Sequence, residues 1–269
     1  MTTEQTASDV PAPQGDEVLL RIERGCAVVT IDRPHARNSI SPEVALGISS
    51  AIDAAEADDE VRVMILTGTP PVFCAGADLK ALGAGRGPEL STPGGGFAGI
   101  VMRDRAKPLI AAVEGAALAG GTEIVCACDL VVAAEDSRFG IPEVKRGLVA
   151  AGGGLFRLGR KFPLNLAMEA ALTGDPIDAK VAHQHGFVNV LSESGGALEA
   201  ALGLAERIAV NAPLAVRESR RIVVDCTFAD EDEAWRRTFE AEKLAMASED
   251  VKEGVQAFIE KRPPVWTGR

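Results

Sequence analysis

The stretch KPLIAAVEGAALAGGTEIVCACDLVVAAEDSRFGIPEVKRGLVAAGGG, residues 107–154, decides how this chain folds. It opens on a short apolar run, LIAAV (109–113), turns at a glycine, and enters a helix-like segment through Ala-Gly-Gly (119–121). A second apolar run, LVVAA (130–134), follows it. Short apolar runs bounded by turn residues and alternating with helical patterns predict the strands of an α/β core.

The same alternation extends toward the N-terminus through VLLRIE (18–23), AVVTI (27–31) and VRVMILT (61–67). Between the last two lies SPEVALGISSAIDAAEADD, where Ser41 suits a helix cap and Pro42 the first helical position. Val44, Ile48, Ile52 and Ala55 share one face of that helix. From about Gly195 the strands stop, and 196–210, 212–226 and 230–260 carry helical periodicity, with breaks near Pro213 and Phe228. The chain therefore divides into a loose polar tail (1–16), an α/β core (17–195) and a helical C-terminal region (196–269).

A faint internal repeat runs through the core. MILTG…CAGADL (64–79) resembles IAAVEG…LAGGTEI (110–124): a strand ends at glycine, makes a short connection and enters a helix through Ala-Gly. Such helix entrances, Ala-Gly-Ala (75–77) and Ala-Gly-Gly (119–121), present free backbone N–H groups where small residues let an oxygen approach closely. Two facing one point would stabilise an oxygen that gains negative charge, each donor contributing about 3 kcal/mol. Ordinary tight packing of helix on strand explains either turn taken alone.

Two carboxylates accompany the second turn. Glu123 lies just past Gly120, and Glu143 follows twenty residues later, beyond LVVAA and the turn FGIPE. A strand running out and a loop returning can bring the two together, so that one acid handles water while the other exchanges a carbon-bound proton. Singly, each has a plainer role, Glu123 complementing a helix dipole and Glu143 standing solvated after Pro142.

Composition narrows the function classes. The 269 residues carry a net charge of −11, which opposes general attraction to nucleic acid or anionic lipid. The start lacks a basic segment followed by an apolar run, and no stretch reaches about 18 apolar residues, so a cytoplasmic protein not bound to membrane is expected. Five scattered cysteines point to reduced thiols, and Cys126-x-Cys128 lacks a second ligand pair, so no metal site is expected. Of the three histidines, His35 lies in the loop after Arg33-Pro34 and His183 and His185 sit in AKVAHQHGFVN (179–189); structural roles are expected for them. The segment 83–99 holds seven glycines and two prolines, the pattern of a mobile loop, either a pocket lid or a surface excursion.

Taken together, residues 107–154 closely resemble the signature of the crotonase (enoyl-CoA hydratase/isomerase) family, as do DRPHARNSI (32–40), VFCAGADLKAL (72–82) and the terminal FIEKR (258–262). The resemblance spans about residues 18 to 265. It implies a spiral of repeated β-β-α turns followed by a helical region that builds trimers, usually paired into hexamers. By matching motifs it makes Ala77 and Gly120 the backbone donors to a thioester oxygen and Glu123 and Glu143 the paired acids. Ala75, Asp78, Leu79 and Lys80 fall along the path of coenzyme A, where Lys80 would meet phosphate as a point charge. The substrate implied is an acyl-CoA thioester, with coenzyme A part of the substrate and no separate cofactor. Hydration of an enoyl-CoA is the expected reaction, because isomerases and other lyases of the family typically lack one of the two acids. A non-catalytic acyl-CoA-binding protein would also have lost an acid. Where many short-chain hydratases read Ile-Pro-Gly-Ala-Gly-Gly, this chain reads Leu148-Val149-Ala150-Ala151-Gly152-Gly153, so the resemblance carries no chain-length preference.

Overall fold

The computed structural model describes residues 17–269; the tail read at 1–16 lies outside the described residues. The chain starts with β1 (Val18–Glu23) and β2 (Cys26–Ile31) and reaches α1 (Pro42–Ala57). Ser41 caps α1 by accepting a hydrogen bond from the Val44 N–H, and the four apolar residues assigned to its inner face are buried.

Next come β3 (Val63–Gly68), the short α2 (Leu79–Gly83), and a small hairpin of β4 (Ser91–Thr92) and β5 (Gly96–Phe97). The segment that decided the fold supplies β6 (Leu109–Val113), β7 (Ala116–Leu118), α3 (Gly120–Ala127), β8 (Leu130–Ala134) and β9 (Arg138–Gly140). After it follow α4 (Gly154–Lys161), α5 (Leu164–Thr173), β10 (Ile177–Asp178), α6 (Ala179–Gln184) and β11 (Val190–Ser192). The C-terminal helices are α7 (Ala197–Ala209), α8 (Pro213–Cys226), α9 (Glu231–Met246) and α10 (Glu249–Glu260).

The main sheet has the order β1-β2-β3-β6-β8-β11, antiparallel only between β1 and β2. A second layer repeats the same succession with shorter pieces: Ile40 bridges Ala77, Cys74 bridges Ala117, and β7 pairs with β9, which pairs with β10. Each turn of the chain thus leaves one long strand in the first layer, one short strand in the second, and then a helix. This is the β-β-α spiral that the resemblance implies.

The central strands β3 and β6 are buried on both faces, which is why they read as unbroken apolar runs. Their alternate residues serve two cores. Met64, Leu66, Leu109, Ala111 and Val113 face the spiral interior, whereas Val63, Ile65, Ile110 and Ala112 pack against Ala201, Leu202 and Ala205 of α7. The first helix of the C-terminal region therefore closes the open face of the sheet. Glu114 ties it there by accepting hydrogen bonds from the Gly195 and Ala197 N–H groups at 3.0 and 2.7 Å.

Three local expectations change. The helical stretch 230–260 is two helices, because Ser248 ends α9 and caps α10, accepting from the Val251 N–H. The segment 83–99, expected to be mobile, is folded: it carries the β4–β5 hairpin, and Leu90, Thr92 and Ala98 are buried. Nor does Ala-Gly-Ala (75–77) open a helix. Ala77 lies in an extended segment beside Ile40, and α2 starts two residues later with Asp78 as its cap. Among the described residues no helix is long and apolar enough to cross a membrane.

Candidate functional site

The two glycine turns meet. A Cβ placed on Gly76 would lie 2.9 Å from the Gly120 nitrogen and 2.8 Å from the Ala119 Cβ, so only glycine lets these backbones approach so closely. Gly76 is also at φ +92°, a conformation that L side chains rarely adopt.

The hydrogen-bond pattern fixes where the Ala77 N–H points. Ile40 donates to the Gly76 carbonyl at 2.8 Å and accepts from the Asp78 N–H at 2.9 Å. In an extended strand the residue between those groups faces the opposite edge, which here is the side of β7 and Gly120. Gly120 begins α3, where a first-turn N–H has no intrahelical partner. Among the described residues neither the Ala77 nor the Gly120 N–H meets an acceptor. Ala119, just before, is held at φ +52°, ψ −126°, a strained geometry for a residue with a Cβ and one that sets how α3 begins. Thr122 fixes the junction from below, its hydroxyl donating to the Ala117 or Gly140 carbonyl and accepting from the Gly140 N–H at 2.9 Å.

Glu123 sits on the first turn of α3 and is only 4% exposed. Its carboxylate lies in a cradle of glycines: Oε1 accepts from the Gly154 N–H at 3.0 Å, and a Cβ on Gly152 would come within 2.5 Å of Oε2. Burial raises its pKa, partly offset by the Gly154 and Gly152 N–H groups and the charge of Arg157. Glu143 lies on a short 3-10 turn, Pro142–Arg146, after β9. Its pKa is also raised by burial, opposed by its own backbone N–H, with the nearby Glu123 charge raising it further. Glu143 Oε2 is buried with no hydrogen-bond partner among the described residues. The structure therefore brings Glu123 and Glu143 within electrostatic reach of each other, and the Gly120 turn opens the helix that carries Glu123.

The remaining sequence candidates separate. Leu79 and Lys80 are exposed on α2 and Ala75 is half-buried beside them. Asp78 is buried and its carboxylate is already engaged: it accepts from the Lys80 and Ala81 N–H groups and pairs with Arg33 at 2.6 Å. Burial pushes the Asp78 carboxyl up, but Arg33 and those N–H groups outweigh it and hold it below the usual range. Its side chain is thus a helix cap and ion-pair partner rather than an open ligand. His183 is structural, with Nδ1 2.8 Å from the Val188 carbonyl oxygen where α6 turns toward β11.

Several site residues escaped the sequence reading. Gly152 and Gly154 hold Glu123, and the run Gly152-Gly153-Gly154 was their signal. Phe97, from the hairpin, stands against Gly120 so closely that a Cβ there would meet its ring at 2.5 Å. Nothing in the local sequence marks it. Gly121 is tighter still: its Cβ would lie 2.2 Å from the Cys74 carbonyl oxygen, and backbone cannot rotate away as a ring can.

This arrangement offers two free amides at one junction, with the buried Glu123 carboxyl and the half-buried Glu143 carboxyl beyond them. It suits a carbonyl oxygen that gains charge while protons move at the adjoining carbons. Residues 21–269 match the family model described as enoyl-CoA hydratase/isomerase. An enoyl-CoA hydratase of Mycobacterium tuberculosis is 39% identical over 261 residues, covering 95% of this chain and 98% of the relative. A carnitinyl-CoA dehydratase of Salmonella typhi is 37% identical over 247 residues, covering 90% and 94%. The crystal structure of an enoyl-CoA hydratase from Mycobacterium marinum superposes with a TM-score of 0.91 at 49% identity, covering 95% of this chain and all (100%) of that one. With the family model matched to its last residue and relatives aligned nearly end to end, this chain belongs to the enoyl-CoA hydratase/isomerase family and is an enzyme of the hydratase type.

Proposed function

We propose that this enzyme adds water reversibly across the 2,3 double bond of an enoyl-CoA thioester, with Glu123 and Glu143 as the paired acids and the Ala77 and Gly120 N–H groups binding the thioester oxygen. The observation that carries the reading is the contrast between the buried Glu123 carboxyl and the half-buried Glu143 carboxyl. Glu123 receives backbone N–H groups and a nearby guanidinium that favour its ionised form, whereas Glu143 keeps an unpartnered oxygen beside the Glu123 charge.

Glu123 accordingly serves as base and Glu143 as acid. As the water oxygen bonds to C3, its proton passes to Glu123, and the double-bond electrons move through C2 onto the thioester oxygen. The two amides stabilise that charge. C2 then takes a proton from Glu143, restoring the carbonyl and giving the 3-hydroxyacyl thioester; dehydration is the reverse.

Ala75, Leu79 and Lys80 would border coenzyme A, with Lys80 meeting phosphate, while Asp78 holds the start of α2. Coenzyme A enters as part of the substrate and no separate cofactor takes part. The apolar side chains left exposed on the C-terminal helices fit assembly into a trimer or hexamer, and the working compartment is the cytoplasm. The test is to offer purified protein a ladder of trans-2-enoyl-CoA thioesters and follow loss of enoyl absorbance. Turnover on at least one chain length supports hydration, and its absence across the ladder contradicts it.

A further inference from the structure

The cations of α4 fall into two groups. Arg160 lies over the rings of Phe156 and Phe228, at 5.0 and 4.7 Å, and Lys161 donates to the Cys128 carbonyl at 3.0 Å. Arg157 shares the Phe156 ring, at 4.9 Å, but differs in its polar contacts. It is half-buried, and among the described residues no carboxylate lies within ion-pair distance of it. Its guanidinium donates to the Gly152 carbonyl at 3.2 Å and to the Val101 carbonyl at 2.6 Å. It also lies close against Gly153, where a Cβ would come within 2.3 Å of one terminal nitrogen. Removing a guanidinium from water without a counter-ion is costly, so its position calls for an explanation.

We propose that Arg157 is a positioning residue for the hydration step: it locks the Gly152–Gly154 turn that cradles Glu123, ties that turn to the segment carrying Phe97, and places a positive charge near Glu123. The inference rests on the reading of Glu123 as the base.

Geometry explains the first part. The Gly154 N–H that holds Glu123 and the Gly152 carbonyl that holds Arg157 belong to the same three-residue turn. The second arm of the guanidinium reaches Val101, four residues after Phe97, whose ring stands on Gly120. One planar side chain thereby joins the base's cradle to the wall beside the Gly120 amide. Arginine suits this task because its donors form a rigid fork, whereas a lysine offers one mobile point charge.

Electrostatics explains the second part. The groups that face Glu123 are Glu143, the Cys126 thiol on its own helix, and Arg157. Burial pushes the Cys126 thiol up to about 12, so it stays neutral, and Glu143 disfavours a second negative charge. Arg146 faces Glu143 instead. Arg105 is committed to Asp129 at 2.9 Å. Arg157 is therefore the cation that favours the ionised base. Removing it lets the Glu123 pKa climb, so the acidic limb of the activity profile must move to higher pH.

The experiment measures hydration of a short trans-2-enoyl-CoA by the full-length enzyme and its Arg157→Gln, Arg157→Lys and Glu123→Gln variants, from about pH 5 to about pH 9. Arg157→Gln is expected to lower kcat about tenfold or more with little change in KM, and to shift the acidic limb upward. Arg157→Lys should restore the limb while kcat stays below wild type, because charge returns without the fork. An acidic limb that stays in place in Arg157→Gln, even with a lower melting temperature, would make Arg157 a packing strut and overturn the proposal. If the Gln variant does not fold, Arg157→Lys decides: a lowered kcat on an unmoved limb supports the proposal, and wild-type kcat overturns it. Near-normal hydration by Glu123→Gln would instead remove the reading of the base itself; an inactive Glu123→Gln beside an Arg157→Gln with an unmoved limb sinks this inference alone.

Discussion

Gly76 and Gly120 stand in backbone contact, so near that a Cβ on the first would reach to 2.9 Å from the amide nitrogen of the second. Residues 44 positions apart are joined because successive turns of the spiral lie side by side, Cys74 bridging Ala117. The contact sets two otherwise unpartnered amides, of Ala77 and Gly120, at one junction.

The neighbouring glycines of α3 should fail differently. Gly121→Ala drives a methyl into the Cys74 carbonyl oxygen, so a destabilisation of about 1–3 kcal/mol is expected, read as a lowered melting temperature. Gly120→Ala meets the Phe97 ring, which can swing aside, and should keep the fold while lowering kcat. Equal melting temperatures for Gly121→Ala and wild type would show that the backbone there yields.

Hydration should lose its acidic side above the ordinary carboxylate range. Burial raises the pKa of Glu123 and of Glu143. A base with a raised pKa is protonated, and so disabled, at a higher pH than a free glutamate near about 4.3. A kcat/KM profile whose acidic limb falls at the free-glutamate value would contradict the burial seen here.

Asp129 anchors α8 to the sheet. It accepts from Arg105 at 2.9 Å, from Arg220 at 2.8 Å and from the Leu109 N–H at 2.8 Å. Asp129→Ala strands two guanidinium groups and should cost about 3–5 kcal/mol, on the order of ten degrees of melting temperature. Burial pushes the Asp129 carboxyl up, but the two arginines outweigh it and hold it below its ordinary value. A depressed folded-state pKa gives stability that is present above the ordinary carboxylate value and lost as pH falls through the lower one. Thermal melts of wild type and Asp129→Ala should therefore converge only in strong acid; a constant difference down to that range would remove the ion cluster as the cause.

The C-terminal helices leave Phe239, Leu244, Phe258 and Ile259 between 48% and 85% exposed. Faces this apolar are expected to be covered by other copies of the chain. Light scattering should report an assembly larger than a monomer, and Phe258→Asp should shift it to smaller species. A monomer at micromolar concentration would contradict this.

The sequence carried the strands and α1 because each has a local cause: apolar runs for strands buried on both faces, and Ser41 and Pro42 for the start of α1; Glu123 and Glu143 are singled out by the family resemblance of residues 107–154 rather than by local pattern. The sequence placed the Ala75–Ala77 turn at a helix start because glycine between alanines looks alike in an extended segment and a helix cap. Only the pairing with Ile40 distinguishes them. Phe97 and Arg157 were invisible for a different reason. Their roles arise from contacts with Gly120, Gly152 and Val101, and no local pattern encodes such contacts. In the Gly-rich stretch 83–99 composition hid a division: Gly95 packs against the Gly99 carbonyl in the hairpin half, whereas Gly83 and Gly85 stand in open space.

The measurement that tests the two-acid mechanism most directly is hydration of a trans-2-enoyl-CoA by Glu123→Gln and by Glu143→Gln, with acyl-CoA affinity measured alongside. Each variant should lose about 10²–10⁴-fold in kcat while binding acyl-CoA nearly as wild type, because general acid-base transfer contributes on that scale and neither carboxyl is proposed to bind coenzyme A. Near-normal turnover in either variant would contradict it.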